Sequence, residues 1–313
     1  MSASFTVLAS GSGGNASLLQ YDHFGLLIDF GLGSRTLGKR LAARGFSWHS
    51  VHAVLLTHTH SDHWNETSLA MIANHGVPLY CHADHAQELS ACSSEYLRLQ
   101  AARRVIIYEP ERWFTVGPGL RVLPLPVSHD CGTTCSFRIE GPEGLFGPSW
   151  AVGYICDLGN WTPDLPKAFA DVDLLAVEFN HDEQLQRTSG RPQLLIDRVL
   201  GDFGHLSNRQ GAAFVAACRE ASAVPCLKYL VTLHRSRQCN TTELVRECAH
   251  GVLSADDALV RLIQAEQHEP TPTLLIGDQD EPAKPRPRVP RRLRTPAIGI
   301  FDDLDDSGLS NID

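Results

Sequence analysis

Thr57-His58-Thr59-His60-Ser61-Asp62-His63 places four potential metal ligands, His58, His60, Asp62 and His63, directly after the apolar run Ala53-Val54-Leu55-Leu56. Neutral imidazole and carboxylate are ligands suited to zinc and similar divalent ions. An apolar strand running into such a cluster hands it to a loop, one way to build a two-metal hydrolytic site. A solvated His-rich turn would call for nothing further along the chain. Here more ligands follow in order: His129 in Val127-Ser128-His129-Asp130, Asp157 closing Tyr154-Ile155-Cys156-Asp157, and His234 closing Leu230-Val231-Thr232-Leu233-His234. Each stands at the end of an apolar segment.

The 313 residues are 43% hydrophobic and 20% charged, which suits a globular protein with one large core or two smaller ones. The start, Met1-Ser-Ala-Ser-Phe-Thr-Val-Leu-Ala-Ser-Gly11, has no basic region and no long apolar run, so it does not read as a signal peptide. No stretch approaches the roughly 18 apolar residues of a membrane span. The expected location is the cytoplasm. There the nine cysteines would be reduced thiols, and none forms a C-x-x-C pair. Cys131 and Cys135 lie near His129, but imidazole and oxygen ligands already fill the pattern. A net charge of −9 argues against a generally basic nucleic-acid binder. It leaves a nuclease open, because bound metals carry positive charge into the site itself.

Residues 5–9 and 24–30 read as strands flanking the turn Ser10-Gly-Ser-Gly-Gly-Asn15, with Asp29 closing the second. Further strands are expected at 53–57, 77–81, 104–108, 120–127, 134–140, 150–156, 174–178 and 229–233. Helices are expected at 35–44, 66–75, 83–100, 192–202, 208–222, 241–249 and 254–266. This succession predicts an α/β layered domain over residues 1–268. Residues 269–313 change character. Pro285-Arg286-Pro287-Arg288 and Arg291-Arg292-Leu293-Arg294 precede the acidic Phe301-Asp-Asp-Leu-Asp-Asp306, which predicts a disordered tail, with partner or nucleic-acid binding as its second reading.

With these residues in view, the chain resembles the metallo-β-lactamase fold superfamily over about residues 5–250, through H-x-H-x-D-H and the later His, Asp and His. The resemblance implies a four-layer αβ/βα sandwich and two divalent metal ions, zinc ahead of manganese. It implies His58, His60 and His129 around one ion, Asp62, His63 and His234 around the other, and Asp157 bridging. The ions would share a water, lower its pKa and hold it as hydroxide, with Asp62 orienting it. The secreted β-lactamases carry a signal peptide, and the oxygen reductases carry Glu where His60 stands, so neither role fits.

Two more motifs point to phosphodiester cleavage. Gly204-His205-Leu206-Ser207-Asn208 precedes an expected helix, with Ser207 and Gln210 spaced as a capping box. His205 would therefore lie beside a helix N-terminus, which favours anions. The segment resembles the G-H-S-T loop of ribonuclease Z, Glu178 resembles the glutamate that supports its His, and Leu233-His234-Arg235-Ser236-Arg237 resembles the segment bearing the last ligand. That implies His205 as general acid and Glu178 as the group holding its tautomer. The turn Leu8 to Asn15, Glu178 to Asp182 and Gly204 to Asn208 also resemble the YycJ/WalJ group of bacterial proteins, associated with DNA exonuclease-type cleavage. Where that group reads H-L-S-x-x-N-N, this chain departs with His234-Arg-Ser-Arg-Gln-Cys-Asn240. His181 is a candidate support residue, whereas His82 and His85 read as polar surface. No arm or β-CASP-sized insertion is present. The expected activity is a phosphodiesterase or nuclease acting on nucleic-acid ends or a small phosphodiester. The alternative is a glyoxalase II-like thioester hydrolase, which would share the ligands but not need His205.

Overall fold

A computed structural model describes residues 3–144, 147–253, 259–277, 286 and 289. In chain order the strands are β1 (Ala3–Ala9), β2 (Ala16–Tyr21), β3 (Phe24–Ile28), β4 (Ala53–Leu55), β5 (Leu79–Cys81), β6 (Val105–Ile107), β7 (Phe114–Val116) and β8 (Leu120–Val127). They continue with β9 (Thr134–Glu140), the short pair β10 (Glu143–Gly144) and β11 (Gly147–Pro148), β12 (Ala151–Ile155), β13 (Leu174–Glu178), β14 (Tyr229–Leu233), β15 (Arg261–Gln264) and β16 (Leu274–Ile276). The helices are α1 (Ser34–Ala42), α2 (Glu66–Asn74), α3 (Ala83–Cys92), α4 (Ser94–Ala101), α5 (Leu165–Ala168), α6 (Glu183–Arg187), α7 (Gln193–Leu200), α8 (Asn208–Ala221) and α9 (Thr242–Val252). Among the described residues no helix is long and apolar enough to cross a membrane.

Two seven-stranded sheets form, ordered β16-β1-β2-β3-β4-β5-β6 and β15-β14-β13-β12-β9-β8-β7. Strands β3 and β4 carry no polar residue, and the period of two explains why. In β3 and β4, Leu26, Ile28, Ala53 and Leu55 face the core between the sheets. Leu27 and Val54 face a second core, with Leu37 and Leu41 of α1 and Leu69 and Ile72 of α2. The other sheet repeats the logic. Leu174 and Ala176 point inwards. Leu175 and Val177 pack with Phe214 and Val215 of α8 and Val245 of α9. Helix, sheet, sheet, helix is the expected four-layer sandwich.

The sequence expectation departs from the structure in five places. The turn Ser10–Asn15 joins β1 to β2, a strand the reading lacked; β2 then pairs antiparallel with both β1 and β3. The helix expected over 83–100 is two helices, because Ser93 leaves the helical conformation and caps α4 by accepting from Tyr96 N. The short elements β7, β10, β11, α5 and α6 are also absent from the expected set. Residues 254–258 lie outside the described residues, but the rest of the helix expected there contains β15, paired parallel with β14. The open edge of β14 offers hydrogen bonds that Arg261–Gln264 satisfies only when extended. Finally, order does not stop at residue 268. Leu274–Ile276 pairs antiparallel with Ala3–Phe5, and both Leu274 and Ile276 are buried. Arg286 donates from both terminal nitrogens to Asp173, at 2.6 and 2.7 Å, and is buried. Apart from residues 269–277, Arg286 and Val289, the expected tail lies outside the described residues.

Candidate metal centre

In each sheet the parallel strands end on the same side, and a crevice at the carboxyl ends of strands is where open α/β sheets place ligands. β4 leads to His58, β12 to Asp157, β13 ends at Glu178, and β14 leads to His234. The antiparallel β8 delivers His129 to the same place. Asp29, Asp157 and His234, each just past a strand, have φ of 59°, 54° and 51°. Non-glycine residues reach that region at a cost, and such strain gathers at functional sites.

Two donor sets converge there. His60 Nδ1 lies 3.2 Å from His58 Nε2 and 3.1 Å from His129 Nε2. Asp157 Oδ2 completes this set, 3.4 Å from His58 Nε2 and 3.7 Å from His129 Nε2. In the second set His63 Nε2 is 3.0 Å from Asp157 Oδ2, while His234 Nε2 is 3.1 Å from Asp62 Oδ2 and 3.5 Å from Asp157 Oδ1. Donors held about 2.0–2.1 Å from one ion at tetrahedral angles stand about 3.3 Å apart. The spacings found are of that size, so both sets fit a divalent ion, and Asp157 belongs to both.

Protonation supports the same reading. Desolvation pushes His58 well below its ordinary value and also lowers His60 and His129, so all three are neutral with lone pairs to offer. The second set behaves as a charged cluster. Burial opposes the charge on His63 and His234, yet Asp157 raises both, His234 to about 9. Burial likewise opposes ionisation of Asp157 and Asp62, but His234 and His63 hold both below the ordinary carboxylate value. Ions entering this set displace protons that the imidazoles hold in the metal-free chain.

Backing residues fix the rings. Asp29 Oδ2 is 2.7 Å from His63 Nδ1, and its Oδ1 accepts from Thr57 N at 2.9 Å. His129 Nδ1 donates to Gly204 O at 3.0 Å, which leaves Nε2 free to ligate. The Asn15 amide stands 3.2 Å from Asp62 Oδ2, and the Asn180 amide 3.0 Å from His234 Nδ1. Ser10 Oγ accepts from His234 N at 2.8 Å. The sequence reading gave neither Asn180, inside the Glu178–Asp182 motif, nor Asp29 a role, although the place of Asp29 at a strand end matched that of the candidate ligands. The Ser10–Asn15 turn thus braces the second set.

A further group, Asp157, Glu178, His205 and His234, also clusters. Glu178 is already engaged: Oε2 accepts from Leu158 N at 2.9 Å and Leu206 N at 3.2 Å, and Oε1 is 2.7 Å from His205 Nδ1. The buried carboxylate is thus a clamp on His205. Burial opposes the charge on His205, but Glu178 raises its pKa above the ordinary value. Ser207 caps α8 in a capping box with Gln210, as the spacing implied. His181 is buried beside this loop, paired in register with Ser207. His85 departs from the expected polar surface. It is buried, with Nε2 donating to Thr133 O at 2.6 Å and Nδ1 accepting from His82 N at 3.2 Å. All nine cysteines are free thiols.

Residues 26–226, more than half of the chain, match the model of the beta-lactamase superfamily domain. The chain belongs to that superfamily. Among this superfamily member's relatives, exodeoxyribonuclease WalJ of Streptococcus pneumoniae is 29% identical over 208 residues, which is 66% of this chain and 74% of the relative. Exodeoxyribonuclease YycJ of Bacillus anthracis is 26% identical over 261 residues, 81% of this chain and 90% of the relative. Among solved structures, the metallo-beta-lactamase fold protein YhfI from Bacillus subtilis has a TM-score of 0.62 at 18% identity, covering 86% of this chain and 99% of that one.

Proposed function

We propose that the chain is a dinuclear metal-dependent phosphodiesterase that cleaves nucleic-acid ends, DNA first among them. The observation that carries this reading is the His205–Glu178 pair, 2.7 Å apart, standing beside two complete donor sets. In the proposed assignment His58, His60 and His129 hold one ion, Asp62, His63 and His234 hold the other, and Asp157 is shared. Bound divalent ions supply Lewis acidity and a water of lowered pKa.

The chain's own residues do the rest. Asp62, with its side chain partly open to solvent, orients the attacking water while its Oδ2 faces His234. Glu178 accepts from His205 Nδ1, so His205 presents a protonated Nε2 to the leaving oxygen and gives up that proton as the P–O bond breaks. A thioester hydrolase needs no such acid, since a thiolate leaves without one. The relatives that carry an exodeoxyribonuclease name support DNA as the substrate. Imidazole-rich sets favour zinc over manganese. Free cysteines throughout suit a reducing compartment, the cytoplasm.

The test sets bis-p-nitrophenyl phosphate and end-labelled single- and double-stranded DNA and RNA beside a thioester. His205→Ala is expected to lower phosphodiester kcat by about 10²–10⁴-fold with both metals retained. Asp62→Ala is expected to lower metal content as well. Thioester turnover that survives His205→Ala, with no phosphodiester turnover, overturns the reading.

A further inference from the structure

One aromatic side chain stands half in solvent beside the candidate site. Phe203 is 51% exposed, more than any other described Phe, Tyr or Trp. An aromatic left in water forgoes the burial that normally stabilises it. Its place is specific: it lies in the connector from α7 to α8, two residues before His205.

The connector is held firmly against the metal centre. Ser128 Oγ donates to Asp202 O at 2.8 Å, and Asn160 Nδ2 donates to Asp202 Oδ1 at 3.1 Å. His205 N donates to Val199 O at 3.0 Å, and Gly204 O takes the proton of the ligand His129. Gly204 packs so closely that a Cβ there would fall 2.2 Å from Arg198 O. Phe203 is therefore displayed on a rigid mount bonded to a metal-site histidine. The same connector begins beside Arg198, whose half-exposed guanidinium pairs with Asp130. That carboxylate lies 3.6 Å from both His60 Nε2 and His129 Nε2. Arg198, Phe203 and His205 thus follow one another along one short stretch of chain.

Resting on the function proposed above, we infer that Phe203 is the stacking platform for a nucleobase next to the scissile phosphate, so that the substrate is a polynucleotide end rather than a base-free phosphodiester. Stacking on an aromatic side chain accepts any base and needs a ring that is exposed and fixed before the strand arrives. A phosphodiester held at the metal centre would bring its neighbouring base within reach of a side chain two residues from His205.

The test measures cleavage of end-labelled single strands that carry either a normal nucleotide or an abasic residue on one side, then the other, of the terminal phosphodiester. For the wild-type chain the ratio of kcat/KM, normal over abasic, is expected to be about 5- to 150-fold at the stacked position. Phe203→Ala should bring this ratio close to one, and Phe203→Trp should keep it. Zinc content of the variants reports that the site is still assembled. A wild-type ratio near one at both positions, or a large ratio that persists in Phe203→Ala, overturns the inference while leaving phosphodiester cleavage standing. A wild-type chain that cleaves no strand overturns both.

Discussion

The carboxylate behind His63 separates metal binding from folding. Asp29 is fully buried and takes the Nδ1–H of His63 at 2.7 Å, along with the Thr57 amide at 2.9 Å. Asp29→Asn keeps an oxygen for Thr57 but can turn an NH2 towards His63. The ring then favours the tautomer with its proton on Nε2, the atom that faces Asp157. Loss of such a backing carboxylate typically lowers metal affinity by about 10–100-fold, or about 1.4–2.8 kcal/mol. Folding should respond differently. Desolvation pushes the Asp29 pKa above its ordinary value, and His63 only partly offsets this. A raised carboxylate pKa means that the charge is a net cost to the metal-free fold above that pKa, and asparagine removes the charge. Metal-stripped Asp29→Asn should therefore unfold no more easily than wild type at pH 7. Zinc titration against a chromophoric chelator should show one weakened site, with the site at His58, His60 and His129 unchanged. A variant that binds both ions as tightly as wild type yet unfolds more easily when stripped would refute the reasoning, and Asp29 would then be a folding residue only.

Three other outcomes follow from the same contacts. In the metal-free chain His234 is raised from 6.5 to about 9, so its contribution to stability is complete below pH 6.5 and fades as pH rises towards 9. The urea midpoint of stripped protein should fall across that window, and less so in His234→Gln. His85 runs the other way: burial lowers it to about 4, so its contribution is present above pH 6.5 and is lost as pH falls through 4. That loss approaches about 3 kcal/mol, read as a steeper acid-side drop in thermal midpoint for wild type than for His85→Gln. A chain ending at residue 272 loses the buried Leu274 and Ile276 of β16, which should cost roughly 3–6 kcal/mol in denaturant unfolding. An unchanged midpoint would restore the domain boundary at residue 268.

Residue type and local spacing determined much of this protein without a structure. Apolar runs that end in His or Asp place imidazole and carboxylate groups at strand ends, so the candidate ligands that the structure brings together, His58 to His63, His129, Asp157 and His234, were legible in order. The capping box at Ser207 and Gln210 was legible for the same reason, since it is closed within four residues. The tertiary structure decided what no local pattern encodes. Arg261–Gln264 becomes a strand because β14 presents an open edge, and Leu274–Ile276 does so because β1 presents another. Asp29 reaches His63 across 34 positions, and Asn15 reaches Asp62 across 47. Ser128, Asn160 and His129 fasten the loop of Phe203 across 74, 42 and 75 positions. Contacts over such separations are set by how the two sheets pack, and that packing sums many weak apolar contacts rather than following from any one motif.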